Sequence, residues 1–368
     1  MNVLVTGSNG FIGKNLVERL SRIEGIEVFK FDKNSTISEL ESCIKNIDFI
    51  FHLAGINRPE KIEEFYDGNS GLTEKLIASI DRIDKKIPIL ISSSVQAKND
   101  NDYGKSKFKS EEALRAYAQK TEAPIYIYRL PNVFGKWCRP NYNSVIATWC
   151  HNITHNIPLQ INNKDTVLTL VYVDDVVESF IKHLYDNGAN IDFEVDTIYK
   201  RSLGDIADLL TCFKKSRTSL VISRVGSGFE RALYATYLSY LPTDKFSYEL
   251  KGHSDERGTF YEILKTLDSG QFSISTTKPG DILRGNHYHN TKNEKFLVVK
   301  GEAIIELRDI NNDEIIKYQV SDKKMEIVEM IPGYTHNIKN ISNEEMILFI
   351  WANEAYDHNK PDTYFLKV

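Results

Sequence analysis

Cysteine, methionine and tryptophan are scarce in this chain, and a long apolar run is missing altogether. The four cysteines, Cys43, Cys138, Cys150 and Cys212, are scattered with no C-x-x-C pair, which excludes a disulfide framework and a zinc ribbon. No apolar stretch approaches the roughly 20 residues of a membrane-spanning helix. An excess of positive charge is also absent: 46 Lys and Arg against 51 Asp and Glu leave a formal net charge of −5. Nucleic acid and anionic membranes are therefore not expected partners, and any phosphate on a substrate needs local cations. Low-complexity segments and internal repeats are lacking as well. Met1-Asn2 leads straight into a strand and a glycine-rich turn, which is not the layout of a signal peptide. Reduced thiols in a cytoplasmic protein are the expectation.

The 368 residues, 41% hydrophobic and 26% charged, exceed one ordinary core and predict two soluble domains. Up to about residue 200, apolar runs of strand length (Val3–Thr6, Glu27–Phe31, Phe49–Leu53, Ile89–Ser92, Ile125–Arg129) alternate with helix-period segments such as Phe11–Leu20 and Tyr103–Tyr117. That alternation predicts an α/β, Rossmann-type doubly wound parallel sheet for residues 1–245. Beyond it, short runs (Phe272–Ser275, Lys295–Val299, Glu302–Leu307, Met346–Trp351) are separated by Gly, Pro, Asn and Asp turns. Residues 246–368 therefore read as an all-β sandwich or barrel, with the boundary in Leu241–Lys245.

Gly7, Gly10 and Gly13 follow the first strand, with Phe11 and Ile12 at the mouth of the first helix. Glycines there let the backbone turn sharply and approach a pyrophosphate seated on the positive helix end. Tyr103 and Lys107 form Y-x-x-x-K and share one helix face. An ammonium beside a phenol favours phenolate, and the phenol can exchange a proton with a carbonyl oxygen as hydride moves. Ser92-Ser93-Ser94 ends a strand and can offer a hydroxyl to the same oxygen. Asp32, after the second strand, suits the ribose 2′-OH of NAD, whereas Lys33 or Lys14 suits the 2′-phosphate of NADP. From these residues alone the choice between the two cofactors is open.

With His52-Leu53-Ala54-Gly55 at the end of the fourth strand, Arg129–Gly135 and Tyr172–Val176, residues 1 to about 240 resemble an extended short-chain dehydrogenase/reductase of the nucleotide-sugar branch. The resemblance implies Ser94, Tyr103 and Lys107 as the catalytic set, Leu53, Ala54 and Gly55 beside the dinucleotide, and Asn132 facing the sugar nucleotide.

In the distal part, His287-Tyr288-His289, Glu294 and Gly301 are followed by Pro332-Gly333-Tyr334-Thr335-His336. On a strand, His287 and His289 point to one face. With Glu294 from the same hairpin and His336 from a later strand, three nitrogens and one oxygen suit a divalent metal: zinc first, with Mn, Fe or Ni equally compatible. These motifs resemble the cupin family and imply a cupin barrel. Asp255–Glu262 and Leu283–His287 resemble the rhamnose-pathway 3,5-epimerases, in which D-x-R-G and R-G-x-H bind a nucleotide-linked 4-keto sugar. That likeness implies diphosphate contacts for Arg257 and Arg284. A histidine that ligates a metal is not also a base, so either His287 binds the ion and another residue takes the proton, or three groups hold the ion and His287 is free.

Taken whole, with Asn141–Ile146 and Lys360–Phe365, the chain resembles the family of capsular-polysaccharide epimerase–reductases over essentially its full length. The resemblance implies a UDP-linked 4-keto amino sugar as substrate, UDP-2-acetamido-2,6-dideoxy-hexos-4-ulose. It implies C3 epimerisation in the cupin, C4 reduction with NADPH (NADH being the other option) in the reductase, an L-talose product toward UDP-N-acetyl-L-fucosamine for capsule or O-antigen, and a homodimer. The chemistry fits one order of events: a ketone at C4 acidifies C3–H, and reduction ends that acidity. The competing reading is a 4-keto-sugar reductase whose cupin is only structural or regulatory.

Overall fold

A computed structural model describes residues 1–186, 191–280 and 285–368. The chain divides into two compact units, residues 1–210 with 231–241 and residues 211–230 with 242–368. The second unit begins close to the expected boundary but also takes in 211–230. The reason is a strand, Val221–Ile222, that pairs in parallel with Lys265–Thr266.

The first unit holds β1 (Asn2–Thr6), β2 (Glu27–Phe31), β3 (Phe49–His52), β4 (Ile89–Ser94), β5 (Ile125–Leu130), β6 (Asn132–Phe134), β7 (Val167–Tyr172), β8 (Asp192–Phe193) and β9 (Tyr199–Ser202). Its main sheet has the order β2-β1-β3-β4-β5-β8, parallel throughout, and β6-β7-β9 form a small separate sheet. Each central strand is apolar on both faces. Val3, Val5, Phe51, Leu90, Tyr126 and Tyr128 pack on one side with α1 (Phe11–Leu20) and a helix at Val173–Lys182. Leu4, Ile50, Ile89, Ile91, Ile125 and Ile127 pack on the other side with helices at Ile37–Ile44, Leu72–Asp81 and Asp102–Thr121. Period-two alternation with both faces covered is the doubly wound arrangement. Burial of each such Leu or Ile contributes about 1.5–3 kcal/mol. One count changes: the His52–Gly55 segment follows the third strand, not a fourth. The strand order β2-β1-β3 reverses between β1 and β3, and the carboxyl ends of these two strands open the crevice where ligands bind.

The second unit is built of β10 (Val221–Ile222), β11 (Gly252–Asp255), β12 (Gly258–Thr266), β13 (Gln271–Thr277), β14 (His287–Tyr288), β15 (Glu294–Lys300), β16 (Glu302–Asp309), β17 (Ile315–Ser321), β18 (Ile327–Met330), β19 (Tyr334–Asn340), β20 (Met346–Ala352) and β21 (Tyr364–Phe365). One sheet runs β10-β12-β13-β20-β15-β18 with β11 on β12, and the other runs β17-β16-β19-β14-β21. Inward residues of both sheets, among them Phe296, Val298, Ile305, Leu307, Ile338 and Leu348, form one core. This is the cupin-type barrel. The expected hairpin joining the histidines to Glu294 is not formed: β14 pairs with β19 and β21, while β15 pairs with β18 and β20. Residues 289–293 cross from one sheet to the other. No described helix is long and apolar enough to cross a membrane.

Candidate active sites

At the β1–β3 crevice the glycine turn is dictated first by its own packing. Gly7 has φ +69°, and a Cβ on it would lie 2.7 Å from the Ala54 nitrogen. On Gly13 a Cβ would lie 2.1 Å from the Gly7 carbonyl oxygen. Gly10 is the N-cap of α1, and no side chain caps the helix. The end of α1 at Phe11 and Ile12 is thus open to an anion, which fits the pyrophosphate of a dinucleotide. Leu53 and Ala54 form the facing wall, where the Ala54 nitrogen donates to Thr6 Oγ1 at 3.2 Å. A Cβ on Gly55 would stand 2.8 Å from Asn69 Oδ1 and 3.5 Å from Lys107 Nζ, so glycine admits both side chains.

Asp32 is engaged differently from expectation. Its carboxylate accepts from Ser8 Oγ, and from the Asn9 nitrogen and Asn9 Nδ2 at 2.9 Å each. It ties the end of β2 to the glycine turn instead of standing open to a ribose. Lys33 beside it is exposed.

The helix Asp102–Thr121 carries Tyr103 and Lys107 to the end of β4. Tyr103 lies close enough to Ser94 for the serine hydroxyl to act on its phenol, whereas Ser93 Oγ donates to the buried Glu111 at 2.5 Å. Glu111 in turn pairs with Arg129 at 2.5 Å. Of the serine run, Ser94 is the one that faces the phenol. Lys107 Nζ donates to the Ser92 carbonyl at 2.7 Å. Burial lowers its pKa to about 8, against the opposing pull of Glu111. The expected depression of the phenol is not found: burial raises Tyr103 above its ordinary value, and the Ser94 hydroxyl works against that rise. Asn132 is exposed on β6, its Nδ2 donating to the Thr169 carbonyl at 3.2 Å.

One residue with no marker in the sequence reading belongs here. Asn69, 2% exposed, donates from Nδ2 to the Ile56 carbonyl (3.0 Å) and to Ser106 Oγ (2.9 Å), and accepts from the Ile56 nitrogen (2.9 Å). It fastens the Leu53–Gly55 wall to the helix of Tyr103 and Lys107.

In the second unit a cavity of about 740 Å³ is lined by Arg257, His287, His289, Glu294, His336 and Lys292, among others. Potential ligand atoms of His287, His289 and Glu294 all lie within 4.8 Å of one another. His289 Nε2 makes no hydrogen bond and stands 3.7 Å from Glu294 Oε2. Two ligands about 2.1 Å from one tetrahedral ion would be about 3.4 Å apart. His336 adjoins this group, its ring 4.5 Å from that of His287, and its buried Nδ1 has no hydrogen-bond partner. Its nitrogen lies outside the three-residue cluster. Burial lowers the pKa of His287, and lowers that of His336 to about 3. Burial raises Glu294, but the surrounding imidazoles outweigh it and hold the carboxyl below its usual range. A carboxylate beside imidazoles that burial keeps neutral at His287 and His336 matches the protonation a divalent ion requires, so the donor set fits a metal.

Asp362 organises this set, again unmarked in the sequence. The His289 Nδ1–H donates to its carbonyl, leaving Nε2 as the free lone pair. Its carboxylate accepts from the nitrogens of Asn290 (3.1 Å), Thr291 (2.9 Å) and Lys292 (2.9 Å), and from Thr291 Oγ1 (3.0 Å). Burial raises this carboxyl, and those donors overcome it and hold it well below the usual range. Arg257 lines the cavity, but its guanidinium is paired with Asp255 at 2.5 Å. Arg284 lies outside the described residues.

A family model for the NAD dependent epimerase/dehydratase family matches residues 3–195. The chain belongs to the NAD dependent epimerase/dehydratase family. A second model, the polysaccharide biosynthesis C-terminal domain, matches residues 253–364 of this family member. It is 51% identical to the UDP-2-acetamido-2,6-beta-L-arabino-hexul-4-ose reductase of Pseudomonas aeruginosa, over 100% of this chain and 99% of that one. The structure of the capsular polysaccharide assembling protein CapF from Staphylococcus aureus matches with a TM-score of 0.93 and 47% identity over the whole of both chains. A Bacillus cereus UDP-glucuronic acid 4-epimerase in complex with NAD shares the fold alone, with a TM-score of 0.56 and 18% identity over 65% of this chain and 96% of that one. At this level the epimerase/dehydratase family member is an oxidoreductase of the nucleotide-sugar class with a nicotinamide cofactor.

Proposed function

We propose that the chain is a bifunctional enzyme acting on one ketone. Its second unit epimerises C3 of a UDP-2-acetamido-2,6-dideoxy-4-keto-hexose, and its first unit reduces C4 with NADPH. The product is UDP-2-acetamido-2,6-dideoxy-L-talose, a precursor of UDP-N-acetyl-L-fucosamine for capsule or O-antigen. What carries this reading is that a single chain holds the Ser94–Tyr103–Lys107 set at the end of β4 and the His287–His289–Glu294 set in the second unit's cavity. The Pseudomonas aeruginosa relative, whose name is that of a reductase of such a ketone, supports it over the full length.

In the first unit the open end of α1 would hold the pyrophosphate of a nicotinamide cofactor, which would supply the hydride for C4 when bound. Ser94 Oγ hydrogen-bonds the substrate oxygen. Tyr103 then gives its proton to that oxygen as the new C–H bond forms, and Lys107 keeps positive charge close to the phenol. Engagement of Asp32 by Ser8 and Asn9, with exposed Lys33 alongside, favours NADPH, because the carboxylate is not presented against a 2′-phosphate.

In the second unit His287, His289 and Glu294, with His336 alongside, would hold a divalent ion, zinc first, which polarises a carbonyl when bound. Arg257 and Arg284 are the diphosphate contacts of this site. Four unpaired thiols suit a reducing cytoplasm, and the likeness to the capsular enzymes supports a homodimer.

The test is incubation with the 4-keto sugar nucleotide in D₂O. Deuterium at C3 without NADPH, and reduced sugar only when NADPH is added, are the expected results. Reduction without any exchange at C3 would leave a reductase with an inactive barrel.

A further inference from the structure

An acidic chain must place cations wherever it holds a phosphate, and the first unit gathers two of them on one aromatic ring. Arg58 and Arg139 lie over Tyr142, their guanidinium carbons 5.9 and 5.4 Å from the ring centroid. Both arginines are exposed. Elsewhere in this unit exposed arginines meet carboxylates, as in Arg19–Glu178, Arg82–Glu41 and Arg115–Asp192. Among the described residues, Arg58 and Arg139 have neither an ion pair nor a hydrogen bond. A ring face engages a guanidinium without using its N–H donors, so both forks keep donors free for an anion.

Their position gives the cluster a purpose. Arg58 lies three residues after Gly55, on the loop leaving β3, and Arg139 lies on the loop that follows β6. Tyr142 is near enough to Tyr103 for the charge of one phenol to act on the other. In a sugar nucleotide the diphosphate leaves C1, across the pyranose ring from C4. With O4 at Ser94 and Tyr103, the phosphates fall about one sugar ring away from the catalytic phenol.

We propose that Arg58 and Arg139, held on Tyr142, bind the diphosphate of the sugar nucleotide in the first unit. The inference rests on the reductase reading and supplies the anion contact that reading leaves unassigned, since Arg257 and Arg284 belong to the other unit. Two planar forks with free donors match phosphate oxygens.

The test uses the full-length protein and the variants Arg58→Gln, Arg139→Gln and the double variant. Each single arginine change should raise KM for the keto sugar nucleotide roughly ten- to hundredfold, the scale of a charge-assisted hydrogen bond. The value of kcat should stay within about twofold, as for an interaction made equally in ground and transition states. Inhibition of reduction by UDP should weaken by the same factor while inhibition by uridine, which has no phosphate, is unchanged. Unchanged KM and UDP inhibition, or a fall in kcat alone, overturns the assignment. Calorimetric titration with UDP reads the same site without turnover: the double variant should lose one UDP site and keep its NADPH affinity. If the unaltered protein reduces no such ketone, the reductase reading fails, and the UDP titration still decides for or against the arginines.

Discussion

At Lys107 the ammonium sits in a buried place with a backbone carbonyl as its hydrogen-bond partner, and its pKa falls from 10.5 to about 8. A charge needed beside the phenol is then lost just above physiological pH. The rate of ketone reduction should fall along an alkaline limb centred near pH 8, and Lys107→Met should be slow at every pH with no such limb. Unfolding does not produce the same profile. Between about pH 8 and 10.5 the unfolded chain keeps the proton that the folded chain has lost, so this group makes stability rise with pH in that window. Urea midpoints at pH 8 and 9.5 that do not fall, alongside falling activity, separate the two causes; a midpoint that drops with the activity would sink the assignment. The residues of this site were legible in sequence to the extent that they obey local spacing. Tyr103 and Lys107 are one helical turn apart, and Ser94 ends the preceding strand. The ties of Asp32 were not legible, because its partners, Ser8 and Asn9, lie on another turn, and a carboxylate after the second strand looks the same whether it is tied down or free. Asn69 left no signal, since its role depends on Ile56 and Ser106, which only the fold brings to it.

Among the elements, the apolar runs marked their strands to within a residue or two, because both faces of β1, β3, β4 and β5 are buried and polar residues such as His52 and Ser92–Ser94 fall at their carboxyl ends. The weak point was β14, only two residues long. Period-two spacing correctly set His287 near His289 but could not say that β14 and β15 sit in different sheets. That crossing is why residue 362 matters. The loop from His289 to Glu294 has little secondary structure of its own, and Asp362 supplies it with acceptors from the C-terminal segment. Asp362→Ala leaves three backbone N–H groups of that loop without an acceptor and frees the loop that aims His289. Zinc affinity, measured by competition with a chromophoric chelator, should drop about ten- to a hundredfold. Hydride transfer to a substrate already epimerised should be unaffected. Equal zinc affinity in the variant would reduce Asp362 to an ordinary loop anchor.

For the molecule as a whole, the decisive issue is whether two chemistries in one chain are separable. The residues named for each site fall within one unit: Ser94, Tyr103 and Lys107 in the first, and His287, His289, Glu294 and His336 in the second. Each should therefore survive loss of the other. Protein stripped of divalent metal by chelation should stop exchanging C3 hydrogen with D₂O, yet still oxidise the L-talose-configured product with NADP⁺, because that reverse step uses only the phenol, the serine and the lysine. Tyr103→Phe should do the opposite, exchanging C3 hydrogen at the normal rate while consuming no NADPH. Mixing the two crippled proteins should restore net conversion of substrate to product, more slowly than the intact chain, since the epimerised ketone must then leave one molecule and find another. Fusion gains by raising that local concentration, and the lag before product appears in the mixture measures the gain. If stripping the metal abolished the reverse oxidation too, or if Tyr103→Phe lost exchange, the two sites would be one, and the division of labour between crevice and barrel would have to be abandoned.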